Sequence, residues 1–204
     1  MYDLHNPLVR GFSHKSAKNL ELVIAFVFAS IRVQTSRLPE LMAEYRIKGL
    51  KSSWIWGNKI KGLKYVRKHR KDLYVRMMKI LKAKKKDCDL DLLMLFLEIP
   101  GLGLPKAGFV VQLVAGKAGC MDVHNFRKHL PEVDASRGTP NYFQTSGNSY
   151  ATKLNKAIEY LNLTKLLGGA KVMWNGWCTD RSEDYPQHFP TPFDVSAVHL
   201  CIWK

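Results

Sequence analysis

Residues 88–129 read CDLDLLMLFLEIPGLGLPKAGFVVQLVAGKAGCMDVHNFRKH, and they contain two apolar runs separated by proline and glycine. An apolar run at 90–97 predicts one helix, and a second apolar run at 104–114 predicts another. The residues between them interrupt both runs, because Pro100 disfavours helix in the residue before it and glycine accepts a positive φ. The sequence therefore predicts a helical hairpin at 90–114 that turns at a corner rich in glycine.

The corner has the features of an anion site. Gly101 and Gly103 leave backbone N–H groups uncovered, and N–H groups at the start of a helix bind anions such as phosphate. Pro105 falls in the first helical turn, where a missing N–H costs little. A short turn then brings Asp122 to the start of a helix-like run at 123–129, where a carboxylate also serves as an N-cap. An ordinary helical hairpin has a similar corner, so the corner alone does not establish phosphate binding.

The order of these motifs resembles the helix-hairpin-helix DNA glycosylases of the endonuclease III superfamily. Their pattern LPGVGxKTA, followed by VDTHxxR, is matched by IPGLGLPKA at 99–107 and by MDVHNFR at 121–127. The segment LELVIAFVFAS at 20–30 is similar to the family helix FELLIAVLLSAQ. The resemblance implies an all-α, two-lobed fold in which the chain forms one unit. Residues 36–129 would form the lobe with the hairpin, and residues 1–35 and 130–204 the second lobe.

The charge of the chain favours a polyanionic partner. Its 204 residues include 32 Lys and Arg against 17 Asp and Glu, a net charge of +15. Such an excess favours nucleic acid first and an anionic membrane surface second. Many of these cations lie at 63–86, where the spacing of apolar residues predicts a long basic helix. We expect double-stranded DNA as the partner, with no membrane partner, and a monomeric protein.

Targeting segments and cysteines give further expectations. The longest apolar run, at 22–31, is too short to span a bilayer, and no signal-peptide pattern opens the chain. We therefore expect a cytoplasmic protein, at the nucleoid or in a phage-infected cell. The cysteines form no CxxC pair. This argues against zinc ribbons and against the iron–sulfur cluster that many family members carry, so no cofactor is predicted. The cysteines are Cys88, Cys120, Cys178 and Cys201.

Asp122 matches the catalytic aspartate of the family. Breaking an N-glycosidic bond develops positive charge on the sugar, and a nearby carboxylate stabilises that charge and orients the attacking water. Bifunctional relatives carry a nucleophilic lysine two residues after the second hairpin glycine. Pro105 occupies that position here, and Lys106, one residue later, is rotated by about 100° around the helix. The resemblance thus implies a monofunctional enzyme without efficient lyase activity, in which Lys106 and His124 are secondary catalytic candidates.

The resemblance also assigns contacts with DNA. The hairpin and the following motif would bind the DNA backbone through Gly101, Gly103, Leu104, Lys106 and Arg127. In the family, hairpin carbonyls often hold a sodium or potassium ion, and the matching residues are Leu97, Ile99 and Leu102. The loop after the first helix fills the gap left by an extruded base, and it corresponds to Ile31 and Arg32, with Gln34 nearby.

Aromatic residues supply candidates for the base pocket. Trp54 and Trp56 lie two residues apart beside Lys59, and this pattern favours either a base-stacking surface or a packed loop. Other aromatic candidates are Tyr45, Trp174 and Trp177.

Three functions are consistent with these motifs. The first is a monofunctional DNA N-glycosylase that flips out and excises a modified or mismatched base. The second is a transferase on the same scaffold, which modifies a flipped thymine or hydroxymethyluracil in phage DNA without cutting the sugar bond. The third is a non-catalytic DNA-binding protein that uses only the hairpin. The identity of the recognised base does not follow from the motifs.

Overall fold

The protein is mainly helical in a computed structural model that describes residues 12–31, 33, 37–83, 88–121, 125, 129–130, 143, 145 and 147–173. The described part contains no strand, which confirms the all-α prediction at this level. None of its helices is long and apolar enough to cross a membrane. The elements are α1 (Ala17–Ala29), α2 (Leu38–Lys48), a 3₁₀ turn (Gly49–Lys51), α3 (Asn58–Lys82), α4 (Cys88–Phe96), α5 (Leu104–Ala115) and α6 (Tyr150–Leu166).

Helix α1 lies at the centre of the fold. The Ser16 hydroxyl caps it by accepting the backbone N–H of Asn19 at 3.1 Å. Every residue at 20–29 is buried, and a helix that is apolar on all sides needs partners all round. Helices α2, α3 and α5 pack against it, and one hydrophobic cluster extends from Phe12 to Met173. The predicted division into lobes at 36 and 130 stays a prediction.

Glu21 is the charged exception within α1. Its side chain is fully buried and meets Arg70 at 3.0 Å, Arg67 at 3.4 Å, Lys18 at 3.5 Å and the Tyr45 hydroxyl at 3.1 Å. Burial alone would raise the pKa of Glu21, but hydrogen bonds and charges from these four side chains outweigh it and lower the pKa. The network therefore ties α1 to α2 and α3 through an ionised carboxylate.

The hairpin is formed by α4 and α5, within two residues of the predicted boundaries. Gly101 has a φ of +86°, whereas Gly103 has a φ of −83°, so only the first glycine uses the left-handed region. Helix α3 passes close to this turn. A Cβ atom at Gly62 would lie 2.5 Å from the Pro100 carbonyl oxygen and 2.3 Å from the Phe28 ring. The corner, which we define as residues 100–103, therefore packs directly on α3 and α1.

Helix α3 begins five residues earlier than the sequence predicted. It starts at Asn58, after Gly57 with a φ of +55°, and extends to Lys82. Its first turn carries Lys59, which is buried, so the apolar periodicity used for the prediction does not reach the true start. The predicted end at 84–86 lies outside the described residues.

Candidate nucleic-acid interface

The corner presents backbone amides without acceptors in the described structure. Gly103 is the N-cap of α5, and no side chain caps this helix. The amides of Lys106 and Ala107 both donate to the Gly103 carbonyl, at 3.1 and 2.9 Å, and Leu102 donates to Ile99 at 3.1 Å. The amides of Gly101, Gly103 and Leu104 form no hydrogen bond with a described acceptor. Gly101 is exposed and Gly103 half-buried, so this end of α5 is open on the corner side.

Two lysines, Lys59 in the first turn of α3 and Lys106 in the first turn of α5, lie in helical turns that adjoin the corner, and we call them the lysine pair. Lys59 is only 7% exposed, and its Nζ donates to the Ile31 carbonyl at 3.1 Å. Burial lowers the pKa of Lys59, and the positive charge of Lys106 lowers it further. The Lys106 Nζ lies 5.6 Å from the centroid of the Phe109 ring. No described carboxylate forms an ion pair with either amine.

The two neighbouring tryptophans have different environments. Trp54 is buried, its indole N–H donates to the Leu41 carbonyl at 2.9 Å, and its ring packs 5.9 Å from that of Tyr45. Trp56 is 60% exposed. The Lys59 Nζ lies between them, 5.4 Å from the centroid of Trp54 and 5.7 Å from that of Trp56. Trp54 therefore belongs to the core, and the free aromatic face of this cluster belongs to Trp56.

The segment after α1 also reaches the corner. Ile31 is half-buried, and its carbonyl accepts the Lys59 hydrogen bond. The Phe28 ring, one turn earlier, would lie 3.5 Å from a Cβ atom at Gly101. The structure thus brings together Ile31, Trp56, the lysine pair and the corner. The other two predicted gap-filling residues, Arg32 and Gln34, lie outside the described part of the chain.

Helix α3 also carries a row of exposed lysines. Their spacing places them on one face of the helix, opposite its buried side. Further along the helix Arg76 binds two acids: Asp72 on the same helix at 3.3 Å and Glu98, just after α4, at 2.8 Å. We call this row the basic stripe, and it consists of Lys61, Lys64, Lys68 and Lys71.

The chain is held firmly up to the residue before Asp122. The Cys120 amide donates to the Gln112 side chain at 3.0 Å, and the Met121 amide donates to the Tyr160 hydroxyl at 2.9 Å. That hydroxyl donates in turn to the Gly119 carbonyl. A Cβ atom at Gly108 would lie 2.7 Å from the same hydroxyl, so this contact needs a glycine on α5. Asp122, His124 and Arg127 themselves lie outside the described residues, as do Trp174 and Trp177.

The structure describes the residues that were predicted to bind a metal ion. The Ile99 carbonyl, one of three predicted ion ligands, accepts the Leu102 amide, so a bound ion would share it. Within the described ranges, no group of three or more His, Cys, Asp or Glu side chains could hold a metal ion. Cys88 and Cys120 are buried, and neither forms a disulfide with a described residue. The sodium or potassium site at Leu97, Ile99 and Leu102 stays a prediction.

Lys59 is the residue of this site that the sequence analysis did not select. It follows two tryptophans and a glycine, and the signal available was a lysine at the start of a helix with aromatic neighbours. Its buried amine is hydrogen-bonded to Ile31, from another part of the chain.

Comparisons of the chain with protein-family models, with curated proteins and with solved structures found no match.

Proposed function

We propose that the protein is a monofunctional DNA N-glycosylase, which extrudes a modified or mismatched base and hydrolyses its bond to deoxyribose. The observation that carries this proposal is the corner, where open amides lie next to the lysine pair. Both groups are donors of hydrogen bonds, and neither has an acidic partner among the described residues. A backbone phosphate supplies the charge and acceptors that this surface lacks.

The reaction is assigned to Asp122 because of its motif. As the bond between C1′ and the base breaks, the electron pair leaves with the base and positive charge develops on the sugar. The Asp122 carboxylate stabilises this charge and accepts a proton from the attacking water, whose oxygen bonds to C1′. The departing base takes up a proton from solvent. The anchored Met121 supports this role, because the hydrogen bond to Tyr160 restricts the chain directly before the carboxylate.

The remaining basic residues support binding of the DNA strand. The basic stripe adds four exposed ammonium groups on the outer face of α3, opposite the face that carries Lys59 and packs on the corner. Contacts between lysines and phosphates are independent of sequence, so they hold the duplex in register without selecting a base. Selection of the base falls to the extrusion step and to the pocket that receives it.

The test uses duplexes that each carry one lesion: uracil, hydroxymethyluracil, an alkylated purine, oxidised guanine or a mismatch. We expect one class of duplex to lose its base, detected by mass spectrometry as an abasic site and a free base. Asp122→Asn should abolish the loss while retaining DNA affinity and the thermal midpoint. A gain of mass on the base would instead favour the transferase. Binding without either product, unaffected by Asp122→Asn, would favour the non-catalytic protein.

A further inference from the structure

A buried amine and an exposed indole meet at the start of α3, next to the corner. Lys59 is 7% exposed, and Trp56, three residues earlier, is 60% exposed. The Lys59 Nζ lies 5.7 Å from the centroid of the Trp56 ring. Lys106 lies in the first turn of α5, directly after the corner, and its positive charge acts on Lys59. The proposed reaction at Asp122 uses none of these three side chains.

The electrostatics of the lysine pair select an anion. A lysine ammonium has three N–H donors, and the described structure provides Lys59 with one hydrogen-bond acceptor, the Ile31 carbonyl at 3.1 Å. Indole faces stabilise a cation only in part, and a buried charge without a counter-ion is costly. Because Lys106 adds a second positive charge, a cation is disfavoured here. A phosphate group supplies both the acceptors and the opposite charge.

The neighbouring indole indicates that the anion carries a flat ring. Trp56 keeps more than half of its surface in solvent, although the adjacent Trp54 is buried. Exposed aromatic rings beside cationic side chains are the usual platform for unstacked bases. We propose that Trp56, Lys59 and Lys106 form a subsite for one unstacked nucleotide, whose base stacks on the indole and whose phosphate binds both amines. The subsite rests on the proposed function only in that its ligand is DNA.

The surroundings favour a nucleotide within a strand over a free nucleotide. The first turn of α3, which carries Lys59, packs against the corner with its open amides of Gly101 and Gly103. A free nucleotide has no further phosphates for these groups, whereas a strand places one phosphate at every step. The ligand is therefore a strand with one base turned out onto Trp56.

The experiment is a titration of the protein with single-stranded oligothymidylate at low salt, followed by tryptophan fluorescence. We expect wild-type fluorescence to be quenched, because a stacked base quenches an indole. Trp56→Leu should remove most of the quench and weaken binding by about tenfold. Lys106→Ala should weaken binding by about threefold or more through the lost phosphate contact. Lys59→Met should weaken binding similarly, with circular dichroism to confirm that it folds.

Two control variants remove an exposed aromatic ring and a lysine charge at positions outside the subsite. Tyr150 is 71% exposed on α6, so Tyr150→Leu deletes an exposed aromatic ring far along the chain. Lys171 is exposed, so Lys171→Ala deletes one charge. Both variants should bind oligothymidylate as the wild type does. Trp56→Leu with wild-type affinity and an undiminished quench would overturn the subsite.

Competition identifies the source of the nucleotide and separates the two proposals. Thymidine monophosphate should displace the oligothymidylate weakly, and inorganic phosphate more weakly still. If the monophosphate binds as tightly as the strand, the assignment to a strand is overturned. No excision from any lesion duplex, with intact binding that depends on Trp56, would refute the glycosylase and leave the subsite standing. Excision with binding unaffected by Trp56→Leu would refute only the subsite.

Discussion

Tyr160→Phe tests whether the anchored chain before Asp122 serves catalysis. The Tyr160 side chain is fully buried, and its hydroxyl accepts the Met121 amide at 2.9 Å and donates to the Gly119 carbonyl. Phenylalanine keeps the ring, so its packing against Phe143, at 5.2 Å between centroids, is retained. The substitution therefore removes these two hydrogen bonds and retains the aromatic ring in the core.

The expected loss of stability comes from the Met121 amide and the Gly119 carbonyl, which lose their hydrogen-bond partner. An unsatisfied buried polar group costs about 1–3 kcal/mol, and local relaxation recovers part of this. For one amide and one carbonyl we expect a loss of about 3 kcal/mol in the free energy of unfolding. In a chain of this size that corresponds to a fall of about 6–12 °C in the thermal midpoint. Calorimetry measures it, and Tyr150→Phe, at an exposed tyrosine, is the control that should leave the midpoint unchanged.

The catalytic consequence is measured separately, by single-turnover excision well below the midpoint of the variant. Releasing the Met121 amide loosens the residue that precedes Asp122, and small misplacements of a catalytic group can cost up to about 100-fold in rate. We expect the rate to fall by at least about tenfold, with DNA affinity retained. A wild-type midpoint would refute the hydrogen-bond assignment. A lowered midpoint with an unchanged rate would refute the link between Tyr160 and Asp122.

Three further predictions address other parts of the site. Incubation with substrate DNA and borohydride should trap no covalent adduct, because Pro105 stands where the bifunctional glycosylases that the hairpin resembles carry their lysine nucleophile; efficient trapping would contradict this. Gly101→Ala should weaken DNA binding and cost about 1–2 kcal/mol of stability, since its φ is +86°; Gly147→Ala, at a φ of +76° in open space, is the control for backbone strain without loss of binding. Glu21→Gln should cost about 2 kcal/mol at neutral pH. Because the folded pKa of Glu21 is lowered, its contribution to stability is present above pH 4.5 and is lost as the pH falls below it. Denaturation curves should therefore converge for variant and wild type in acid, and a constant gap would contradict the assignment.

The hairpin was predictable from sequence because its signals are local. Apolar runs, a proline and glycines act within a few residues of their own position, and they located α4 and α5 to within two residues. The burial of α1 was predictable for the same reason, since an apolar surface on every side of a helix leaves no solvent-facing stripe. Of the two corner glycines, local reasoning could not tell which has the positive φ. That depends on the approach of Asn58, whose carbonyl oxygen would lie 3.1 Å from a Cβ atom at Gly101.

The burial of Lys59 and the different exposures of the two tryptophans depend on tertiary contacts, so they could not be predicted from the local sequence. A lysine between a glycine turn and a helix is usually solvated. Within the described part of the chain, its buried amine donates a hydrogen bond to the carbonyl of Ile31, just after α1. Trp54 and Trp56 have the same residue type and nearly the same position in the chain. Their exposure differs because α2 covers one ring and offers it the Leu41 carbonyl. Sequence reasoning proposed both as candidates for stacking, and the structure leaves one exposed.

At Lys59, the arrangement that favours phosphate binding is not the one that would stabilise the free protein most. Burying the Lys59 amine without a carboxylate lowers its pKa, which means that the free protein disfavours the charged form. A bound phosphate reverses that preference, so part of the binding energy is used to keep the amine charged. The pKa of Lys59 should therefore rise when DNA binds, and binding should take up protons at alkaline pH. A carboxylate beside Lys59 would stabilise the free protein better and would compete with the phosphate for the same donors. The absence of such a partner among the described residues is what a phosphate-binding role for the lysine pair requires.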